Sequence, residues 1–170
     1  MRVGRFPTGT LARSLALGLA LGLGIVAVPA VAQAKAEVFF TEVAVPEGPK
    51  AAEQTKLVRR LLGAAAKRAH FGKVKKARIR ATVTEYVEIV EGDVLTIRCS
   101  MNGRLEGGPR AKSHLAYSGK ASRRAELEKK VIGIVADGLV TRLAQMAKEE
   151  QAGKERRDAK AAAAEDAGRR

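Results

Sequence analysis

The chain is 170 residues long, which fits one small domain, and its 32 basic and 18 acidic residues give a formal net charge of +14 at pH 7. This excess favours anionic partners such as nucleic acid, lipid headgroups or acidic envelope polymers; charge that serves only solubility is the alternative. The single cysteine excludes an intramolecular disulfide. The absence of tryptophan and the scarcity of other aromatic residues argue against nucleic-acid binding by stacked aromatic side chains.

Residues 1–34 have the layout of a cleavable secretory signal peptide. A start with three arginines is followed by an unbroken apolar run, 15–28, and then by the A-x-A peptidase site Ala32-Gln33-Ala34. The apolar run is shorter than the about 20 residues that a spanning helix needs, which does not favour an uncleaved anchor. We therefore predict export, cleavage after Ala34, and a periplasmic or secreted protein with no integral membrane segment after cleavage.

The next segments predict a strand and a helix. Glu37–Val45 is rich in β-branched and aromatic residues and stops at a Pro-Glu-Gly-Pro turn, which is typical of a strand. Lys50–Phe71 carries leucine and alanine on one face and basic residues mostly on the others. This pattern predicts an amphipathic helix that Gly72 ends.

Two alternating segments, Lys76–Val90 and Val94–Leu105, predict an antiparallel hairpin with one buried face. The apolar residues are odd-numbered in both segments. If both apolar sets are to lie on one face, odd-numbered residues must face odd-numbered ones, so the two residue numbers of each facing pair add up to an even value. A three-residue loop, Glu91–Asp93, satisfies this condition. This register predicts three facing pairs: Tyr86 with Arg98, Val87 with Ile97, and Arg80 with Arg104.

The rest of the chain predicts a third strand and a long helix. Ala111–Ser118 alternates after a Gly-Gly-Pro turn, 121–148 carries an apolar stripe at helical spacing, and 149–170 is a charged Ala-rich tail, either a helical extension or disordered. We predict a two-layer α+β domain over 35–148 in the order β-α-β-β-β-α. Its antiparallel sheet of three to four strands would carry both helices on one face.

The open face of this sheet is the best candidate surface for binding. Seven cationic or imidazole side chains have the outward parity: Arg78, Arg80, Arg98, Arg104, Arg110, Lys112 and His114. If the Gly-Gly-Pro segment is a tight turn, Lys112 lies beside Arg104, which already faces Arg80. Like charges directly opposite one another are destabilising, so such a row is costly unless an anion neutralises it. We assign anion or partner binding to Arg78, Arg80, Arg98, Arg104 and Lys112; a plain solvated face is the alternative.

Two charged residues interrupt the predicted apolar faces. Glu85 falls on the core side of its strand, opposite Cys99, and Arg142 lies within the apolar stripe of the last helix. Three interpretations stay open: both reach solvent at the edge of the layer, they pair with one another, or they belong to a site. An isolated buried charge is costly, whereas a buried pair can be tolerated.

No pattern for catalysis or for a metal stands out. Cys99 has the alternation of a small buried hydrophobic residue, and His70 and His114 have no ligand at a suitable spacing for a metal site of three or four ligands. No phosphate-binding glycine loop is present. We therefore predict a protein that is not an enzyme, with no catalytic residues, no bound metal and no cofactor.

Three segments carry a family resemblance: VFFTEVAVPEGP, HFGKVKKARIRATVTE and EKKVIGIVADGLVTRLAQMAK. They are similar to small exported proteins of uncharacterised function from high-GC Gram-negative bacteria, over about Val38–Lys148. The order of elements also resembles periplasmic domains of envelope-assembly proteins, such as the N-terminal domain of TolB. The resemblance implies no catalytic or binding residues.

These observations predict an exported binding or accessory module of the cell envelope. Its partner would be an envelope protein, held by the basic sheet face or by an open sheet edge that accepts a strand. The alternative is a binder of an anionic polymer, such as lipopolysaccharide, an acidic glycan or nucleic acid, on the basic face. A hydrolase with an unrecognised site is the third class and would need a deep polar cleft.

Overall fold

The computed structural model describes residues 36–168, so the predicted signal peptide and its cleavage site lie outside the described residues. The elements are β1 (Glu37–Ala44), α1 (Ala51–Ala66), β2 (Lys76–Glu91), β3 (Val94–Leu105), β4 (Arg110–Lys120), a short 3-10 helix (Ala121–Arg123) and α2 (Arg124–Gly168). The predicted α+β class and the order β-α-β-β-β-α are confirmed.

The four strands form one sheet in the order β1-β2-β3-β4. The pairs β2–β3 and β3–β4 are antiparallel, as predicted, but β1 runs parallel to β2, so the sheet is mixed. The parallel pair arises because α1 is a crossover that returns the chain in its original direction. α2 packs on β3 and β4, and α1 packs against β1 and α2, so both helices cover one face of the sheet. We call this the inner face and the opposite one the outer face.

The core lies between the inner face and the two helices. Ile79, Ile97 and Met101 of the sheet and Leu62 and Leu139 of the helices are all fully buried. Burial of a side chain of this size contributes about 1.5–3 kcal/mol to folding. α2 lies close to β3 at Gly103, where a Cβ atom would lie 3.0 Å from Cδ2 of Leu139. A glycine at this position therefore lets the helix lie close to the sheet.

α1 ends five residues earlier than its amphipathic pattern predicts. The backbone N–H of Arg68 donates to the carbonyl of Ala65, and Gly72 has a φ of +66°, so the chain leaves the helical path before Phe71. Phe71 is nevertheless buried, 1% exposed, as part of the connection between α1 and β2. Phe71 extends the apolar pattern of α1 because its side chain packs in the core, although the residue itself lies outside the helix.

The register of the β2–β3 hairpin differs from the prediction in the half next to its loop. Its loop has two residues, since Glu91 faces Val94 and Gly92 has a φ of +58°. Near the other end Arg80 faces Arg104, as predicted. The two registers differ by one residue, and a β-bulge between Val83 and Glu85 absorbs the difference.

The bulge exchanges the two faces of β2 beyond Val83. Tyr86 faces Cys99 and Val87 faces Arg98, so both predicted pairs, Tyr86 with Arg98 and Val87 with Ile97, are wrong. Val87 and Ile89 lie on the outer face, and Tyr86 and Glu88 turn toward the helices. The Tyr86 hydroxyl donates to Oε1 of Glu88 at 2.9 Å, and Nη2 of Arg124 forms an ion pair with Oε2 of Glu88 at 2.5 Å.

The two tyrosines of the chain are expected to ionise at widely different pH values. Burial and the hydrogen bond to Glu88 raise the pKa of Tyr86, whereas the hydrogen bond and charge of Lys130 lower the pKa of Tyr117. The stabilisation from protonated Tyr86 is complete below the ordinary tyrosine pKa and is lost as the pH rises above it, because the unfolded chain then releases that proton.

An alkaline absorbance titration checks this prediction, because the chain has two tyrosines and no tryptophan. Half of the tyrosinate signal should appear early, and the other half only as the protein unfolds. Tyr117→Phe should remove the early step, and Tyr86→Phe the late one. A single step for both tyrosines at the ordinary pH would contradict the assignment.

α2 continues beyond the predicted end of the domain. It reaches Gly168, so the charged Ala-rich segment is helical over the described residues. Gln151 ties this extension to the α1–β2 connection, since its Oε1 accepts from the backbone N–H of Lys73 at 2.9 Å and its Nε2 donates to the carbonyl of Phe71 at 3.3 Å. None of the helices in residues 36–168 has an apolar stretch long enough to cross a bilayer.

Candidate functional site

The outer face carries a shallow depression of about 490 Å³ near the β3–β4 turn. We call it the basic depression. Its lining residues are Arg80, Thr82, Asn102, Gly103, Arg104, Arg110, Ala111 and Lys112. Four of these eight carry a positive charge and none is acidic. The depression therefore gathers several positive charges on one surface.

Strand alternation and register bring the cations together. Arg80 of β2 faces Arg104 of β3, which faces Arg110 of β4, so three arginines form a row across the sheet. The fourth member of the row is Glu42 of β1, whose Oε2 lies 4.0 Å from Nε of Arg80. Facing residues of like charge are destabilising. The row therefore keeps a local electrostatic cost that a bound anion would relieve.

Lys112 belongs to the basic depression but not in the predicted position. It faces Asn102, and Arg110 takes the place beside Arg104. The reason is the β3–β4 turn: the backbone N–H of Leu105 donates to the carbonyl of Pro109 at 3.0 Å, and Gly107 has a φ of +69°. The chain therefore reverses one residue earlier than a turn over Gly107–Pro109 would.

Two of the predicted binding residues lie outside the depression. Nη1 of Arg78 lies 3.5 Å from Oε2 of Glu106, an exposed ion pair at the end of the hairpin. Arg98 lies between Val87 and Ala116 on its neighbouring strands. It is four residues along β3 from Asn102, a separation of about 13 Å. The structure thus brings together Arg80, Arg104 and Lys112 and separates Arg78 and Arg98 from them.

The predicted position of Glu85 on the core side is wrong, and its pairing with Arg142, one of the three interpretations left open, is not formed. The bulge places Glu85 on the outer face, opposite Ser100 and not Cys99. The Ser100 hydroxyl donates to Oε2 of Glu85 at 3.2 Å. Arg142 is exposed on α2, in the layer that covers the inner face. The sheet therefore separates the two charges.

Cys99 is buried, as its alternation predicts, and burial together with the charge of Glu85 raises its pKa to about 11. A thiol held protonated at neutral pH is a poor nucleophile. His70 and His114 are both exposed. Over residues 36–168, no three His, Cys, Asp or Glu side chains are grouped so that they could hold a metal ion.

Sequence reasoning missed part of the lining. Arg110 has the predicted outward parity, but only the position of the turn shows that it sits beside Arg104. Thr82 and Asn102 lie on the same face and supply an uncharged hydroxyl and an amide. Their outward parity is visible in the alternation, but a polar residue on a solvated strand face is too common to indicate a ligand site by itself.

Comparisons with known proteins give similarity at the level of structure alone. No family model and no curated protein matches the chain. One similar solved structure is a protein proposed to be a lipoprotein from Caulobacter crescentus, at 14% identity and a TM-score of 0.40, with 66% of this chain and 90% of that chain covered. Another is a minor lipoprotein from Acinetobacter baumannii, at 13% identity and a TM-score of 0.35, with 66% of this chain and 95% of that chain covered.

A third similar structure is a hypothetical protein from Chlamydia trachomatis, at 12% identity and a TM-score of 0.40, with 67% of this chain and 98% of that chain covered. Identities and TM-scores at this level carry no argument about function. The resemblance to exported proteins of high-GC bacteria and to TolB-type domains therefore stays a prediction.

Proposed function

We propose that the protein is an exported, non-catalytic binding module of the cell envelope that holds an anionic partner on the outer face of its sheet. The observation that carries this proposal is the basic depression, with four cations and no acidic residue in its lining. Export is the prediction from the N-terminal segment. Cys99 is unsuited to act as a nucleophile, because it is buried and its raised pKa keeps the thiol protonated.

Charge balance in the depression supports an anionic partner. The ion pairs of residues 36–168 leave Arg104, Arg110 and Lys112 without a carboxylate partner. Arg80 shares only the 4.0 Å contact with Glu42. A partner that enters the depression would meet three cations that form no ion pair with a carboxylate of the described residues.

Binding of two soluble polyanions, polyphosphate and polyglutamate, over a salt series tests the proposal. Affinity should be measurable at low salt and should fall as salt rises. Arg104→Gln/Arg110→Gln should weaken binding by about tenfold or more, because two of the three guanidinium groups that donate to the anion are removed.

The matched control is Arg59→Gln/Arg60→Gln, which removes the same charge from exposed positions of α1 in the other layer. It should lower affinity by less than about threefold, through the net charge alone. No binding of either polymer, or equal losses in the two variants, would refute a site in the basic depression.

A second candidate, strand addition, is favoured by a different observation. β1 pairs with β2 only as far as Thr82, so from Val83 to Glu91 this side of β2 has no partner strand within the described residues. Val87 and Val90 are 41% and 63% exposed there. An extended segment of another protein could continue the position of β1 and pair with this open half of β2.

Salt separates the two candidates. Backbone pairing along β2 should survive high salt, whereas binding in the basic depression should not. Partner binding that persists in salt and is lost in Val90→Pro would favour strand addition. Counting the alternating pairs from the Glu91–Val94 pair that closes the turn, the backbone N–H of Val90 lies on the open side of β2, and proline removes that donor. A circular dichroism spectrum of that variant shows whether the sheet itself is retained.

A further inference from the structure

We propose that the group held in the basic depression is a phosphate monoester or a diphosphate, and not the carboxylate of an acidic polymer. This inference rests on the anion binding proposed above and names the chemical class of the ligand. It follows from the number, type and spacing of the cations and from the uncharged groups beside them.

The spacing of the cations favours a compact ligand with more than one negative charge. Arg80, Arg104 and Arg110 face one another on three adjacent strands, which puts neighbouring Cα atoms about 5 Å apart. Lys112 is the fourth cation of the same lining. One carboxylate supplies a single charge to these four groups. A phosphate monoester carries a charge of about −1.5 to −2 and three acceptor oxygens at pH 7.

The type of cation also favours phosphate. Three of the four charged lining residues are arginines, whose planar fork donates two parallel hydrogen bonds to phosphate oxygens. Several forks that converge on one depression need an acceptor with oxygens pointing in several directions. A tetrahedral phosphate has such a shape, whereas the two oxygens of a carboxylate lie in one plane and are matched by a single fork.

The remaining lining residues suit the same ligand. Thr82 and Asn102 add an uncharged hydroxyl and an amide donor to the lining. Both are able to bond an oxygen that no arginine reaches. The floor of the depression is sheet backbone, since the Cβ positions of Gly103 and Ala111 point to the inner face and leave main-chain atoms on this side. The depression is open, which fits a phosphate group carried at the end of a larger molecule.

Calorimetric titration of the chain from Lys35 to Arg170 with pyrophosphate and with citrate tests the inference, because both are small anions of similar charge. Pyrophosphate should bind about tenfold or more tightly than citrate. Arg104→Lys/Arg110→Lys keeps the charge but removes two of the three arginine forks, and it should reduce this ratio to about one to threefold. The control Arg59→Lys/Arg60→Lys should leave the ratio unchanged.

Vesicles distinguish the two sources of a phosphate group. Phosphatidylcholine vesicles with phosphatidic acid carry a phosphate monoester, and those with phosphatidylserine carry a phosphodiester and a carboxylate. Sedimentation with phosphatidic acid vesicles alone assigns the site to a lipid headgroup. Pyrophosphate binding without sedimentation assigns it to a soluble phosphate compound.

The outcomes separate this inference from the proposed function. Equal affinity for pyrophosphate and citrate, or a ratio unchanged in Arg104→Lys/Arg110→Lys, would overturn the phosphate assignment and leave anion binding in place. No binding of either small anion, together with no binding of either polymer, would overturn both. Circular dichroism melts of each variant show whether a lost affinity reflects a lost fold.

Discussion

Leu139→Ala is expected to lower the free energy of unfolding by about 2–5 kcal/mol, because it empties a fully buried position between α2 and β3. Leu139 contacts the sheet at Gly103, which also forms part of the floor of the basic depression. Denaturant unfolding measures the loss. Ile134→Ala on the same helix is the control, since Ile134 is 47% exposed and its truncation should cost less than about 1 kcal/mol.

A double-mutant cycle tests the contact itself. In Gly103→Ala the new Cβ would lie 3.0 to 3.1 Å from three carbon atoms of Leu139, so this variant alone should also be destabilised. In the Leu139→Ala background those atoms are gone and the added methyl group fills part of the cavity. We expect a favourable coupling of about 1–3 kcal/mol between the two changes. Additive effects on the free energy of unfolding would show that Gly103 and Leu139 are not energetically coupled.

Phe71→Ala is expected to cost about 3–5 kcal/mol, although the residue lies in a connection and not in a helix or strand. Its side chain is 1% exposed and belongs to the core cluster. The same connection is held to α2 by the hydrogen bonds of Gln151 and by the ion pair between Lys73 and Glu155. Thermal or denaturant unfolding of the variant measures the loss.

Gln151→Ala is the matched comparison for Phe71. It removes the hydrogen bonds to the connection but leaves the buried ring in place, and it should cost about 1 kcal/mol. A loss for Phe71→Ala no larger than that of Gln151→Ala would contradict the assignment of Phe71 as the anchor. It would mean that polar contacts, and not burial of the ring, hold the connection against α2.

The order of elements was predictable because each element has its own local signal. Alternation identifies β2 and β3, and helical spacing identifies α1 and α2, since each must bury one apolar face. The outward position of Arg80, Arg104 and Lys112 follows from the same alternation. The fold class and the basic character of the outer face therefore follow from the sequence alone.

The hairpin register was not predictable from parity, because two constraints on β2 disagree. The core requires Ile79 and Val83 to face inward, and the two-residue turn at Gly92 sets a register shifted by one residue. The bulge at Thr84 resolves the conflict and moves Glu85 and Val87 to the outer face. Alternation within one strand contains no information on where such a bulge falls, because the tertiary packing of both ends decides it.

The composition of the basic depression also depends partly on local sequence and partly on tertiary structure. The sequence by itself determined which side chains point outward from β3 and β4, because alternation needs only local backbone geometry. It left open whether Arg110 or Lys112 lies beside Arg104, since both registers put the same residues on the outer face. Only the tertiary structure decided this, through the backbone of the turn at Gly107, and it thereby placed a third arginine in the row across the sheet.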